Sequence, residues 1–494
     1  MRVIPAALRT IDRRWLALVI LCVGQLMIVL DATVVNVALP EIQSSLGFSQ
    51  ASLAWVVNGY LITFGGLLLL AGRLGDLLGR RRVFLTGVAL FTAASLLCGI
   101  APSGALLVAA RFVQGIGAAT VASMVLALIV TLFPLPRDTA KAMSIYAFVA
   151  SAGGSIGLLV GGLITQAVSW HWIFFINLPI GAVVLVLGSA FIPRTAGRGL
   201  HHGVDALGGV LVTAAPSLAV YAILQAGDSG WVSLRTLGLL GAVVALAVVF
   251  VVRESTARAP LMPLHVFASR TLVAANLMRA LFGVGLFGTF FLGVLYMQHV
   301  LGYGSLQTGL AFLPQTVIVA VVSLFVTRRL VQRFGNRTVI VAALGLVALG
   351  LALFSRASVG GSYVSTILPV TLLIGMGGGL IFAPSATLAM SGVAAGDVGL
   401  ASGLANVALQ FGAAAGVAVL ASLSSSHSAS LASGGASPLF ALTGGYQLGF
   451  VVAAGCVVAA LVVTAVLLRN VRGAAVAPAP APRPAVLGAE DLAA

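Results

Sequence analysis

Long apolar runs, each broken by a short polar segment, follow one another along almost the whole chain. A helix needs about 17–25 predominantly apolar residues to cross a hydrocarbon core of about 30 Å. Runs of that order predict fourteen membrane helices, starting with Leu16–Leu39, Leu53–Ala71, Val83–Ile100, Ala105–Phe133, Ala142–Ala167, Ile173–Ile192 and Ala206–Leu224. The series continues with Leu237–Val252, Thr271–Met297, Leu306–Val326, Val339–Phe354, Ile367–Met390, Leu400–Leu423 and Phe450–Leu468. The eighth and eleventh runs are short as bounded and should extend into their flanks. The first follows the basic segment MRVIPAALRTIDRRW and is too long for a signal-peptide core, so it reads as a retained helix. Trp15, Trp55, Trp170, Trp172 and Trp231 fall at predicted helix ends or in a loop, as an interfacial aromatic belt requires.

Composition agrees with the pattern. Of 494 residues, 60% are hydrophobic and 7% charged, against about 25% charged in soluble domains. The expected fold class is therefore an all-α membrane protein. A net charge of +15 would point to nucleic acid in a soluble protein. Here the arginines cluster between apolar runs and set topology instead, so no nucleic-acid partner is expected. With the N-terminus inside, 22 of the 26 basic residues fall on inner segments; Arg235 and Arg356 fall outside, and Arg111 and Arg279 within helices. Both termini are then cytoplasmic, which needs an even number of crossings. Lys141 is the sole lysine, a bias consistent with a GC-rich bacterial genome and an inner-membrane location. Cys22, Cys98 and Cys456 lie inside apolar runs with no metal or disulfide spacing.

Two inter-helix segments repeat. GRLGDLLGRRRV (Gly72–Val83) follows the second run, and RRLVQRFGNRTV (Arg328–Val339) follows the tenth. At a constant offset of 256, Arg73, Leu74, Gly79, Arg81 and Val83 match Arg329, Leu330, Gly335, Arg337 and Val339. A duplicated six-helix unit with two extra helices between the copies explains the count, and paired halves of this kind are a transporter architecture. The expected organisation is a cytoplasmic N-terminus (1–15), a first six-helix bundle (16–192), a linker carrying the extra helices (193–260), a second bundle (261–468) and a disordered tail (469–494). The serine-rich stretch SSSHSASLASGGASP before the last run reads as a flexible loop.

Asp31 is the one acidic residue placed within any predicted span. A charge at the bilayer centre costs about 2.5–3.5 kcal/mol on insertion scales, so intramembrane ionisable groups mark function. Nine residues back from Pro40, at about 1.5 Å each, Asp31 lies about 13 Å below the outer end. Arg111 enters its helix from the same side and reaches roughly 10 Å, so the two are natural partners. Either they form a fixed pair that only locks packing, or a movement that changes their separation loads and releases a proton. Arg279 is close enough to the inner surface to snorkel, with a substrate role as the alternative reading. Asn58, Tyr60, Gln114, Asn276, Gln315 and Gln410 are polar groups able to line a cavity or to satisfy a neighbouring helix. Gly153, Gly157 and Gly161, with Gly162 beside them, give the small-residue spacing that lets helices approach closely.

LDATVVNVALP, GRLGDLLGRRR, RFVQGIGAA and GSIGLLVGG resemble, in order, four signature motifs of the major facilitator superfamily. The form of the first, the segment SWHWIFFINLPIG and the fourteen runs are similar to its drug:proton antiporter branch. Resemblance implies a major facilitator fold, coupling through Arg111, and an outward-state latch at Gly72, Asp76, Gly79, Arg80 and Arg81. It also implies that the glycines of the fifth run form an antiporter motif, in which Leu158 stands where Pro usually follows the middle glycine. The second copy of the latch has Gln332 at the Asp76 position.

No phosphate-binding loop, H-E-x-x-H or C-x-x-C is present, so no ATP hydrolysis, cofactor, metal or enzymatic activity is expected. The resulting expectation is a monomeric, proton-coupled exporter of amphipathic, often cationic drugs, with Asp31 binding a proton or a cationic substrate. Two alternatives stand beside it: a proton-coupled metabolite importer on the same fold, and a membrane sensor that moves nothing.

Overall fold

The structure, a computed structural model, describes residues 13–194, 197, 199, 205–257, 260–391, 393–394 and 397–468. Both predicted terminal segments lie outside these apart from residues 13–15. Fifteen α-helices dominate, with no strand among the described residues. The first five are α1 (Arg13–Leu46), α2 (Gln50–Leu78), α3 (Arg80–Gly99), α4 (Gly104–Leu132) and α5 (Pro136–Ala167). α6 (Trp172–Phe175) and α7 (Asn177–Phe191) run on as one crossing, and α8 (Ala206–Ser229) and α9 (Leu234–Thr256) form a hairpin. After a short 3-10 turn at Leu264–Ala268 come α10 (Arg270–His299), α11 (Ser305–Val321) and α12 (Thr327–Phe354). The last three are α13 (Leu368–Met390), α14 (Val398–Ser433) and α15 (Pro438–Leu467).

Twelve described stretches are long and apolar enough to cross a bilayer. One of these, Ser305–Phe354, covers 50 residues and breaks at Gly335, so it crosses twice. α5, with 32 residues, is not among the twelve, its apolar stretch being the shorter Ile156–Ala167; counted as a crossing it brings the total to the predicted fourteen. As expected for the two short runs, α9 extends beyond both bounds. Hydroxyl caps start several helices: Ser49, Ser103, Ser233 and Ser269 each accept a bond from a first-turn amide. One expectation fails. The serine-rich stretch is not a loop, because α14 continues to Ser433 and packs its small residues against α15. Ser424 and Ser428 are buried there, and a side chain on Gly445 would meet both residues.

The repeat is visible in the packing. α1 with α5, α2 with α4, α3 with α4 and α3 with α7 have counterparts in α10 with α14, α11 with α13, α12 with α13 and α12 with α15. Gly79 and Gly335, matched in sequence, both have positive φ, 97° and 81°, a backbone that side chains resist. Arg81 donates to the Ser189 carbonyl near the end of α7, and Arg337 donates to the Ala465 carbonyl near the end of α15, at 2.8 Å. Between the two sets, α2 packs on α14 and α5 on α11, forming two seams. α8 covers the first seam, touching both α2 and α14.

Candidate functional site

Asp31 is brought to Arg111 by the packing of α1 on α4. Arg111 Nη1 donates to Asp31 Oδ2 at 2.6 Å, with both side chains at most 2% exposed. Gln114, one turn further along α4, donates through Nε2 to Asp31 Oδ1 at 2.7 Å and accepts from Arg111 Nη1 at 2.6 Å. Asn177, the first residue of α7, also donates to Asp31 Oδ1, at 3.1 Å. Ser95 of α3 ties the two amides together, accepting from Gln114 at 2.6 Å and Asn177 at 3.1 Å. Arg111 Nε donates to the Val56 carbonyl of α2 at 2.9 Å. The guanidinium carbon lies 4.3 Å from the centre of the Tyr60 ring, a favourable cation–π distance.

Five crossings of the first set therefore meet at one carboxylate: α1, α2, α3, α4 and α7. One cation and two amides donate to Asp31, and the cation is itself held by a carbonyl, an amide oxygen and an aromatic face. Such a node avoids an uncompensated charge in an apolar interior. Three donors take three of the carboxylate's roughly four acceptor positions, and burial keeps the remaining one, on Oδ2, away from water. In the described conformation the carboxylate is sealed from solvent.

The other predicted site residues separate into distinct places. Gln114 and Tyr60 belong to the node, although the Tyr60 hydroxyl has no partner. Asn58 is fully buried with both amide atoms unpartnered, and Gln315 is buried with its side-chain oxygen unpartnered. Gln410 packs on the α2 seam near Gly65, and Asn276 lies beside the α8–α9 hairpin. None of these four joins the node.

Arg279 does not snorkel. It is buried, donating to the Ala405 carbonyl at 2.9 Å, to Ser385 Oγ at 3.0 Å and to Asn406 Oδ1 at 3.5 Å. Tight packing of α10 on α14 leaves its side chain no route to the surface. Asp31 is also joined by further acids: Glu41 lies in α1 and Glu254, buried, in α9, because both helices extend past the predicted runs.

At the latch segment Asp76 pairs with Arg80, four residues on, at 3.0 Å. Arg80 in turn donates to Thr131 Oγ1 at 2.6 Å and the Ala127 carbonyl at 3.2 Å, both on α4. These contacts stay within the first set of helices, and among the described residues Asp76 has no ion pair across the seam. Gly79 forms the turn between α2 and α3, while nothing lies within 4 Å of a side chain at Gly72. The glycines of α5 divide by face. Gly153, Gly157 and Gly161 press on Leu26, Thr33 and Val34 of α1, and Gly162 presses on Ser305 of α11. Both contacts tie α5 closely to the helix that carries Asp31 and to the second set.

The two sets also meet where α1 ends. Gln298 donates to the Val37 carbonyl at 2.9 Å, Ser305 to Glu41 at 3.2 Å, and the Leu306 amide to Gln166 at 3.2 Å.

Asn177 and Ser95 were not singled out from the sequence. Asn177 had a signal: it is the polar residue of FFINLPIG, a run otherwise apolar, placed just before a proline. Ser95 had none.

Two similarly packed sets of helices, with a buried ion pair inside one of them, define a polytopic membrane carrier. The chain belongs to the major facilitator superfamily, whose family description, Major Facilitator Superfamily, matches residues 21–417. It is a membrane transporter and not an enzyme. It is 40% identical over 458 residues to the puromycin resistance protein of Streptomyces alboniger, covering 92% of this chain and 90% of that one. It is also 40% identical over 413 residues to the cephamycin export protein of Amycolatopsis lactamdurans, covering 83% and 85%. Among solved structures, an inward-facing bacterial homologue of the lysosomal transporter Spinster matches with a TM-score of 0.66 and 14% identity. That match covers 94% of this chain and 98% of the other, and speaks to the fold.

Proposed function

We propose that this protein exports small drug or antibiotic molecules across a bacterial cell membrane in exchange for protons. The observation that carries the reading is the sealed node at Asp31, where an ion pair in the membrane joins five crossings of one half. A proton reaches the buried Asp31 only when the packing around it opens, and that packing includes its donors on α4 and α7. Protonation is thereby linked to a shift of helices rather than to a local event, which is what alternating access needs. Resistance and export proteins among the relatives support the substrate class and the outward direction.

In this reading residues 16–192 and 261–468 rock against each other, with 193–260 as the connecting unit. Both termini face the cytoplasm, following the arginine distribution. Contacts of Gln298, Ser305 and Leu306 with α1 and α5 then close the external side. Gly162 against Ser305 belongs to that closure. Asp76, Arg80 and Arg81, with the Gly79 turn, brace α2, α3 and α4 of the first half, and the monomer contains a complete pathway. Asp31 carries the proton and Arg111 sets when it is held; cargo binds elsewhere between the halves.

The test is ethidium efflux from liposomes containing the purified protein, driven by an imposed pH gradient. Wild type should pump and Asp31→Asn should not, with the variant still folded and inserted. Equal pumping by both would remove Asp31 from the coupling step. Failure of the wild type to move ethidium would remove broad cation export.

A further inference from the structure

Beside the seam of α2 and α14, under the α8–α9 hairpin, lies a cavity of about 240 Å³. Its wall includes Phe250 of α9, Met262 and Phe267 of the segment before α10, Asn276 of α10, and Leu404 and Phe411 of α14. Phe250, Asn276 and Leu404 each stand six residues from the arginine-rich end of their helix, which places the cavity roughly 9 Å inside that face. Among the described residues that line it none is charged. Asn276 is the one with an amide side chain, only 9% exposed, and both its amide nitrogen and its oxygen lack a partner.

We propose that this cavity binds a neutral, largely apolar molecule carrying one hydrogen-bonding group, which Asn276 engages. Each part of that description follows from the wall. An ion would lose its hydration with no opposite charge to replace it, which separates this ligand from the charged chemistry at Asp31. Aromatic and aliphatic side chains favour an apolar body. The amide is costly to bury unpartnered, and a ligand carbonyl or N–H meets it after a small rotation about the side-chain bonds. A lipid acyl chain fits the apolar wall but leaves Asn276 as it is. Phe267, 36% exposed at the rim, marks the approach from the leaflet on the arginine-rich side. None of Asp31 and its partners lines the cavity, so the site stands whether or not the proton-coupled export reading holds.

Benzophenone is a suitable probe, being neutral, two-ringed and equipped with one carbonyl. On irradiation its excited carbonyl oxygen takes a hydrogen atom from a nearby C–H bond. The two carbon radicals then join, so the whole ketone is retained as a tertiary alcohol on the side chain. The full chain in lipid nanodiscs would be irradiated with benzophenone and the adducts mapped by peptide mass spectrometry. Adducts should concentrate on Met262. They should fall roughly two- to tenfold in Asn276→Leu, the worth of one hydrogen bond. They should be lost in Val212→Trp, which fills the cavity from α8 and provides an independent check should Asn276→Leu not fold. Labelling spread evenly over the lipid-facing Val248 and Val252, with no excess at Met262, would overturn the proposal. So would an excess at Met262 that Asn276→Leu leaves unchanged, which would make the cavity an apolar crevice filled by lipid, or one that Val212→Trp does not reduce.

Discussion

A double-mutant cycle on Asp31 and Arg111 tests whether the node is one energetic unit. In Arg111→Met the carboxylate loses its only charged donor, and the Val56 carbonyl loses the donor it has from Arg111. Breaking a buried pair from one side costs about 3–5 kcal/mol, and the 2.6 Å separation with both side chains at most 2% exposed puts this pair in that class. Asp31→Asn likewise leaves the buried Arg111 without its counter-charge, a cost reduced only by the bonds its amide oxygen keeps, each worth about 0.5–1.5 kcal/mol. The double variant buries no charge. It should therefore be about 2–3 kcal/mol more stable than the sum of the single costs implies, the upper range for residues in contact. The assay is reversible unfolding in mixed detergent–SDS micelles, followed by tryptophan fluorescence. Costs that simply add, to within about 0.5 kcal/mol, would refute the reasoning and make the two residues independent.

Three further outcomes follow from the geometry. Asn177→Leu removes a donor from both Asp31 and Ser95; it should cost about 1–3 kcal/mol and strongly reduce gradient-driven efflux, and undiminished efflux would exclude Asn177 from the node's work. Gly157→Ala places a methyl on Thr33 Oγ1 and should lower stability by about 1–3 kcal/mol, with partial recovery in Gly157→Ala/Thr33→Ala; a thermal melt showing no recovery would locate the strain elsewhere. Gly79→Ala and Gly335→Ala, at φ 97° and 81°, should each cost about 1–2 kcal/mol, whereas Gly72→Ala should be neutral, and equal effects at all three positions would contradict the turn argument.

The sequence already contained the crossings and the pairing of Asp31 with Arg111, for related reasons. An apolar run has a length, and a charge within it has a depth, and both are read along one helix. What lies around a helix axis is harder to read. Ser95 and Asn177 reach the node because α3 turns Ser95 toward α4 and α7, and α7 turns Asn177 toward α1; Asn177 at least stands out as a polar residue in an apolar run, whereas Ser95 carries no mark. Arg279 illustrates the same limit. Its depth alone allows snorkelling, but its direction points at Ser385 and the Ala405 carbonyl, more than a hundred residues away. The serine-rich end of α14 was read as a loop from composition. In the folded chain those small residues serve close packing against Gly445, information that resides in the partner helix.

The α8–α9 hairpin has a mechanical consequence. α8 rests on α2 and α14 together, while α9 touches mainly α8 and leaves most of its surface bare. A rod lying across two plates must lift from one of them, or bend, whenever the plates separate. Among the described residues, no helix from outside the two sets lies across the seam of α5 and α11. Opening along the α2–α14 line is therefore loaded by an extra contact that the other line lacks, and the two sides of a near-symmetric molecule have unequal stiffness. In the proposed rocking motion, the travel of each step is then set on one side by how far α8 can slide before it loses its second foothold.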